Sequence, residues 1–174
     1  MDSGQHYSLS TVHRPLIIRY NPRMKVAVLS DVHGNVPALR TVLADIDGWS
    51  PDVVVVDGDI VNRGPVSDEC LEMLLERRDR LGWHLLRGNH EEFVVDCGLP
   101  ERPRTGPPYE MAQFAHFALA QVSQYIEELS TLPDVYERPG PNGALLRIVH
   151  ASMRSNRDGI YPMTTDDDLR RQIA

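Results

Sequence analysis

Between residues 24 and 86 the chain alternates short apolar runs with longer amphipathic stretches. The apolar runs predict strands over Met24–Leu29, Asp52–Val56 and Trp83–Leu86. The second is nearly all β-branched, which is typical of a strand buried on both faces. Apolar residues recur at the i, i+3, i+4, i+7 spacing of a helix over Pro37–Asp47 and Ser67–Arg80. Two consecutive strand–helix–strand units predict an α/β fold with a mainly parallel sheet flanked by helices.

The pattern changes after residue 97. Cys97–Tyr109 holds four prolines and two glycines, which predicts a surface loop. A helical pattern follows, and we expect its apolar members to pack in the core: Met111, Phe114, Phe117, Ala118, Val122, Tyr125, Ile126 and Leu129. Beyond it we predict strands at Val135–Tyr136 and Ala144–Val149, a turn between them at Pro139–Gly143, and a helix over Asp166–Ile173.

Composition and charge narrow the classes of function. The formal net charge is −7, from 25 acidic and 18 basic residues, and this balance disfavours nucleic acid as a partner. An anionic small substrate stays open, because a metal ion can supply positive charge locally. No stretch approaches the ~20 apolar residues of a transmembrane helix, so no membrane contact is expected.

Residues 1–23 are polar, and their one apolar patch, Leu16–Ile18, is too short for the core of a signal peptide. We therefore expect an N-terminal extension over 1–23 and a single domain over 24–174. Cys70 and Cys97 form no CxxC motif, which favours two reduced thiols and a cytoplasmic location. A homo-oligomer remains open.

Polar side chains follow each predicted strand. Asp31 and His33 come after the first strand, Asp59 after the second, Asn89 after the third, and His150 after the late one. Asp31 precedes Asp59 by 28 residues and Asp59 precedes Asn89 by 30, about the length of one strand–helix–strand unit. Because parallel strands end at the same edge of a sheet, these side chains should meet there.

Taken singly, such residues have simpler interpretations. An Asp after a strand is commonly a helix cap or turn former, and a buried His is commonly a structural residue. Several converging carboxylates, however, repel one another and need a cation. Oxygen and imidazole ligands without thiolate suit Mn²⁺, Fe or Zn²⁺. Three glycines, Gly34, Gly58 and Gly88, would permit the tight turns.

These motifs resemble those of the calcineurin-like metallophosphoesterases, whose pattern is D-x-H, G-D, G-N-H-[DE] and a later H before small residues. The matching stretches are Asp31-Val32-His33, Gly58-Asp59, Gly88-Asn89-His90-Glu91 and His150-Ala151-Ser152. The resemblance runs from Met24 to Ala174 and implies a two-layer β-sandwich with helices outside, which gives four α-β-β-α layers.

The resemblance also implies two divalent metal ions, with Mn²⁺ expected first and Fe or Zn²⁺ as alternatives. Asp31, His33 and Asp59 would bind one ion. Asp59 would bridge to the second ion, which Asn89 and His150 would also hold. Two ions ~3.5–4 Å apart can turn a bridging water into a hydroxide that attacks a phosphomonoester or phosphodiester.

Further roles are implied around this centre. His90 is expected to act near the leaving group, as general acid or transition-state stabiliser, rather than to bind metal. Arg63 and Arg87 resemble the phosphate-binding arginines of the Ser/Thr phosphatase and diadenosine-tetraphosphate hydrolase branches; the alternative is that both are ordinary salt-bridge partners. Asn62 stands where those branches have an Asp that orients the catalytic His.

The late segment is closer to the small bacterial phosphodiesterase branch, whose usual form is H-G-S-P-R. Here Ala151 replaces the Gly and Met153 the Pro, and an acidic stretch follows at Thr165–Leu169. The family's closing motif, G-H-x-H, does not occur, and residues 151–174 contain no His. We therefore expect a C-terminally incomplete domain that lacks its last strands, and a non-catalytic binding or regulatory module is the alternative to an enzyme.

Overall fold

Three parallel strands form the sheet that carries the N-terminal motifs. The computed structural model describes residues 24–140 and 143–174, so the predicted extension 1–23 lies outside the described residues. The strands are β1 (Val26–Leu29), β2 (Val53–Asp57) and β3 (His84–Leu86). They pair in the order β1-β2-β3, with Val26 opposite Val53 and Val55 opposite His84. The predicted α/β fold with a parallel sheet is confirmed.

Two helices make the crossovers between these strands. They are α1 (Val36–Trp49) and α2 (Ser67–Leu81), each within two residues of its predicted bounds. The Asn35 side chain accepts a hydrogen bond from the Ala38 N–H at 3.2 Å and caps α1. Both helices pack on one face of the sheet, where their apolar residues join those of the strands in the main core.

Four further helices follow β3: α3 (Asn89–Gly98), α4 (Pro107–Met111), α5 (Gln113–Val122) and α6 (Ile126–Thr131), with a 3₁₀ turn at Ser123–Tyr125 before the last. The sequence pattern predicted no helix over 89–98. The predicted loop Cys97–Tyr109 is shorter in the structure, because α3 ends at Gly98 and α4 begins at Pro107.

The expected apolar core stripe after residue 110 is wrong for its first three members. Met111, Phe114 and Phe117 are 87%, 67% and 53% exposed, whereas Ala118, Val122 and Leu129 are buried as expected. The helix is interrupted at Ala112, so residue 111 and the residues after it do not share one continuous face. On α5 the buried face is made of small residues, which let α5 pack closely against α3 and leave the phenylalanine rings outside.

A hairpin and a final helix complete the described chain. The hairpin strands β4 (Val135–Pro139) and β5 (Leu145–Val149) are antiparallel, and α7 covers Asp166–Ile173. Residues 141–142, within the predicted turn, lie outside the described residues. Tyr136 and Ile148 of the hairpin pack against Val53, Val55 and Leu86 on the sheet face opposite the helices. The four-layer arrangement with missing C-terminal strands stays a prediction.

Within residues 24–140 and 143–174, no helix is both long enough and apolar enough to cross a membrane.

Candidate metal centre

The polar segments that follow β1, β2, β3 and β5 converge at one edge of the sheet. Backbone hydrogen bonds join the first two segments: the Asp31 N–H donates to the Gly58 carbonyl at 3.2 Å, and the His33 N–H donates to the Asp59 carbonyl at 2.9 Å. The third segment begins α3, and its His90 N–H donates to the Asp59 side chain at 2.9 Å. The parallel sheet therefore brings together residues that are up to 59 positions apart in the chain.

One carboxylate oxygen lies at the centre of this cluster. Asp59 is only 3% exposed, and its Oδ2 is 3.7 Å from His33 Nε2, 3.5 Å from His150 Nε2 and 4.0 Å from His90 Nε2. Asp31 Oδ1 lies 3.6 Å from the same His33 nitrogen. These separations are too long for hydrogen bonds. They suit atoms that share a cation at about 2.1 Å from each.

The ring of His150 is held by the backbone in an orientation that suits a ligand. Its Nδ1 lies 2.7 Å from the Asp57 carbonyl, which can only accept, so Nδ1 carries a hydrogen. In the neutral ring Nε2 then presents a lone pair toward Asn89 Oδ1, 3.1 Å away. The two atoms are close enough to bind one metal ion together.

The pKa of His150 reflects the same surroundings. Burial lowers the pKa, but the bond to the Asp57 carbonyl and the nearby carboxylates, Asp59 foremost, outweigh it and raise the pKa above its usual value. The site thus favours positive charge at this imidazole.

Asp57 is an acidic residue of this edge that the sequence motifs did not single out. Burial raises its pKa to about 6; the neighbouring carboxylates of Asp31 and Asp59 add to the rise, and His150 opposes it. Its Oδ1 is buried and has no hydrogen-bond partner in the part of the chain that the structure describes. A buried, unpartnered carboxylate oxygen beside other carboxylates is the environment that a divalent cation would stabilise.

His90 lies between this cluster and Asn62. The ring is 6% exposed, and its donor atoms lie within 4.8 Å of those of His33 and Asp59, so the three could hold an ion. Its expected role near the leaving group, rather than as a ligand, stays a prediction.

Two donor nitrogens face the His90 ring. Asn62 Nδ2 lies 2.9 Å from Nδ1, and Arg63 Nε lies 3.1 Å from Nε2. Asn62 Oδ1 accepts from the Arg63 N–H at 2.7 Å, which fixes the orientation of the amide. Burial lowers the pKa of His90, the Asp59 carboxylate opposes this, and His33 and Arg63 lower it further, so that the net direction is down. Asn62 offers an amide donor where a carboxylate would stabilise an imidazolium, which also disfavours the charged ring.

A second buried carboxylate holds the backbone of the site. Glu91 is fully buried, and its two oxygens accept four backbone hydrogen bonds at 2.8–3.1 Å, from the N–H groups of Asp59, Ile60, Val61 and Gly88. Burial raises the pKa of Glu91, and these donors oppose the rise. Sequence reasoning assigned Glu91 no role. Its place three residues after the N-cap Gly88, as in a capping box, was the available signal.

The loops of the site hold the backbone in an unusual conformation. Seven described non-glycine residues have a left-handed φ; one is Ser50 at the end of α1. The other six, with φ between 48° and 73°, are Asp31, His33, Asp59, Asn62, Arg63 and Ala151. Such conformations cost ~1–2 kcal/mol per residue and are concentrated at functional sites.

Close backbone approach explains one of the predicted glycines. A Cβ at Gly88 would lie 2.2 Å from Asp59 Oδ1 and 2.5 Å from the Asp59 nitrogen. Only glycine allows α3 to begin this close to the central carboxylate.

The two predicted phosphate-binding arginines have different surroundings. Arg87 donates two hydrogen bonds to Asp134 Oδ1 and one to Oδ2, at 2.7–2.9 Å, which is an ion pair. Arg63 adjoins His90 and, across residues 24–140 and 143–174, forms no ion pair with a carboxylate. Both roles in phosphate binding stay predictions.

Known proteins share this fold and these motifs. Residues 24–168 match the family model of the calcineurin-like phosphoesterases. The crystal structure of a metallophosphoesterase from Sphaerobacter thermophilus superposes with a TM-score of 0.60 at 27% identity, over 79% of this chain and 51% of that one. The hypothetical protein PH1004 from Pyrococcus horikoshii OT3 superposes with a TM-score of 0.69 at 19% identity, over 85% of this chain and 63% of that one, and shows the fold alone.

A curated relative, the uncharacterized protein MJ0912 of Methanocaldococcus jannaschii, is 39% identical over 70 residues, which are 40% of this chain and 27% of that protein. The chain thus spans less than two thirds of the length of each of these relatives. The match to the family model covers most of the chain and includes all the motif residues that meet at the sheet edge. The chain belongs to the calcineurin-like phosphoesterase family.

Proposed function

We propose that this chain hydrolyses a small phosphomonoester or phosphodiester with divalent metal ions held by Asp31, His33, Asp59, Asn89 and His150. The observation that carries the proposal is the buried Asp59 Oδ2, which faces three imidazole nitrogens at 3.5–4.0 Å without a hydrogen bond. Membership of a phosphoesterase family supports the reaction class. A two-ion centre, with Mn²⁺ as the first metal to test, is part of the proposal.

When bound, such ions polarise the phosphoryl group and supply a nucleophilic water at neutral pH. The protein's own groups do the rest. Asp59 faces both the His33 side and the His150 side of the centre, so it is the group suited to serve two ions. His90, buried beside Asp59, is placed to act near the leaving oxygen as general acid or transition-state stabiliser. Glu91 fixes the backbone that carries Asp59 and α3.

Arg63 is the arginine best placed to bind phosphate oxygens. It adjoins His90 and has no ion-pair partner among the described residues, whereas Arg87 is occupied by Asp134. We expect Arg63→Ala to raise KM by about ten- to a hundredfold, the value of one or two charge-assisted hydrogen bonds. Arg87→Ala should change KM less than threefold. Equal effects of the two substitutions would contradict this assignment.

The proposal extends to the setting of the enzyme. The net charge of −7 favours a small phosphorylated substrate over nucleic acid, and the buried thiols Cys70 and Cys97 suit a cytoplasmic protein. A homo-oligomer and a place in the small bacterial phosphodiesterase branch stay predictions.

The test compares the wild-type protein with Asp59→Asn and with Asp45→Asn. Asp45 is an exposed carboxylate of α1 and serves as the matched control. Metal-depleted protein is loaded with Mn²⁺, the bound metal is counted by elemental analysis, and turnover of an aryl phosphomonoester and a bis-aryl phosphodiester is followed.

We expect about two metal equivalents and metal-dependent turnover, with a loss of at least a hundredfold in Asp59→Asn and none in Asp45→Asn. Metal binding without turnover of either ester would favour the non-catalytic module. Absence of both would overturn the metal centre and the activity together.

A further inference from the structure

A cleft opens beside His90. Its volume is about 510 Å³, within the ~300–1,000 Å³ typical of small-molecule sites. Three residues already placed at the metal centre, Asn62, Arg63 and His90, form one wall of it. A ligand in the cleft would therefore be in contact with the centre.

The other walls are largely apolar and aromatic. Phe93 packs edge-on against the His90 ring, with centroids 5.4 Å apart. Met111 and Phe114 also line the cleft and are 87% and 67% exposed. These are the side chains whose helical pattern predicted a place in the core. A cluster of large apolar side chains in a concave site is suited to cover an apolar ligand.

The arginines that line the cleft away from the metal centre are paired with carboxylates. Arg157 lies over the Phe93 ring at 4.5 Å and pairs with Glu92 at 2.9 Å. Arg102 pairs with Asp96 at 2.8 Å. Of the arginines that line the cleft, only Arg63 has no such carboxylate partner among the described residues, and it adjoins His90. The far part of the cleft thus suits an uncharged group rather than a second anion.

We propose that this cleft holds the leaving group and selects phosphoesters whose leaving alcohol carries a planar aromatic ring. The inference rests on the proposed function, because the phosphate must lie at the metal centre for the ring to reach Phe93 and Phe114. In the reaction, water forms a new P–O bond, the P–O bond to the ring-bearing alcohol breaks, and the leaving oxygen gains a proton. A planar ring in the cleft would contact its apolar and aromatic side chains, and a short alkyl group would contact fewer of them.

The test uses phosphonates, whose P–C bond is not hydrolysed and whose binding does not depend on leaving-group reactivity. Affinities of phenylphosphonate and methylphosphonate for the Mn²⁺-loaded protein are measured by calorimetry and by competition with a turned-over ester. We expect phenylphosphonate to bind about tenfold more tightly. A nucleoside 5′-phosphonate is the third ligand, and it tests a ring that is carried by a sugar rather than attached next to the phosphoryl group. If either ring-bearing ligand binds more tightly than methylphosphonate, the proposal is supported.

Two variants on one helix complete the design. Phe114→Ala removes a ring of the cleft, and Phe117→Ala removes an exposed ring of α5 that does not line it. Because both rings are exposed, neither change should disturb folding. The preference for phenylphosphonate should fall to about twofold in Phe114→Ala and remain about tenfold in Phe117→Ala.

Equal binding of all three phosphonates by the wild-type protein, or equal preference in the two variants, would overturn the inference while leaving the proposed function intact. Failure of every phosphonate to bind, together with absence of metal-dependent turnover, would overturn the proposed function itself.

Discussion

Replacement of Glu91 by Gln tests how the site is held together. The carboxylate is fully buried and accepts four backbone hydrogen bonds, two at each oxygen. An amide keeps one acceptor oxygen and places an NH₂ group against two of the four N–H donors. The shape is unchanged, so the loss is one of hydrogen bonding rather than of packing.

The magnitude follows from the two donors that lose their acceptor. A buried donor left unsatisfied costs ~1–3 kcal/mol, so Glu91→Gln should lower the free energy of unfolding by about 4 kcal/mol. For a domain of this size that corresponds to a fall of about 10 °C in Tm. One oxygen accepts from Asp59 and Gly88 and the other from Ile60 and Val61, so either orientation of the amide disturbs the backbone next to Asp59, and the Mn²⁺ affinity should fall as well.

The neighbouring Glu92 provides the control. Its side chain is 30% exposed and pairs with Arg157, so Glu92→Gln should cost less than about 1 kcal/mol. Chemical denaturation and scanning calorimetry of the metal-free proteins measure both changes, and Mn²⁺ titration measures the affinity. If Glu91→Gln and Glu92→Gln unfold at the same temperature, the backbone-holding role of Glu91 is wrong.

Two pairs of substitutions and one alkylation experiment test the backbone and the core. Gly88→Ala should abolish Mn²⁺ binding, since its Cβ would lie 2.2 Å from a site carboxylate. Gly48→Ala in α1, where a Cβ would meet nothing within 4 Å, should raise the free energy of unfolding by ~0.5–1 kcal/mol. A Mn²⁺ titration and a denaturation curve of each variant measure these effects, and intact binding in Gly88→Ala would refute the first. Ala151→Gly should stabilise the protein by ~1 kcal/mol because residue 151 has a left-handed φ of 70°. Ala120→Gly, at an exposed position of α5, should destabilise it by a similar amount. Equal denaturation midpoints of the two variants would show that the backbone at Ala151 is not strained. Burial raises the pKa of Cys70 to about 11, so at pH 8 its alkylation, followed by mass spectrometry, should be at least ~100-fold slower in the native protein than in urea, and comparable rates would show that the thiol is accessible.

The sequence pattern predicted the elements that have a simple local periodicity. Strand β1 is entirely apolar, β2 is a run of buried valines, and α1 and α2 each turn one apolar face to the core, so local periodicity was enough. Helix α3 was missed because its first turn is Asn89-His90-Glu91-Glu92. His90 and Glu91 are polar but buried, so this turn does not show the usual pattern of buried apolar and exposed polar residues.

The aromatic residues after 110 show a different limit of sequence reasoning. Helical spacing identifies an apolar face but not what covers it. On α5 the residues buried in the core are Ala115 and Ala118, because close packing against α3 requires small side chains. Phe114 lies outside the core and lines the cleft. For the site, motif spacing indicated which residues converge on Asp59. It could not indicate that Asp57 Oδ1 and the Glu91 side chain are buried there, since burial depends on how the loops close.

The left-handed backbone of the site loops limits which side chains these positions accept. Asp, Asn and His are the non-glycine residues that tolerate this conformation best, and they also supply the oxygen and imidazole ligands that divalent metals bind. The residues at positions 31, 33 and 59 must therefore meet two independent requirements: they must adopt the left-handed backbone conformation and they must bind a divalent metal. Glu offers the same carboxylate and Cys a stronger ligand for some metals, yet both adopt this backbone conformation less readily. Fewer residue types therefore suit these positions than metal chemistry alone would allow, and redesign toward other metals would have to begin with the backbone.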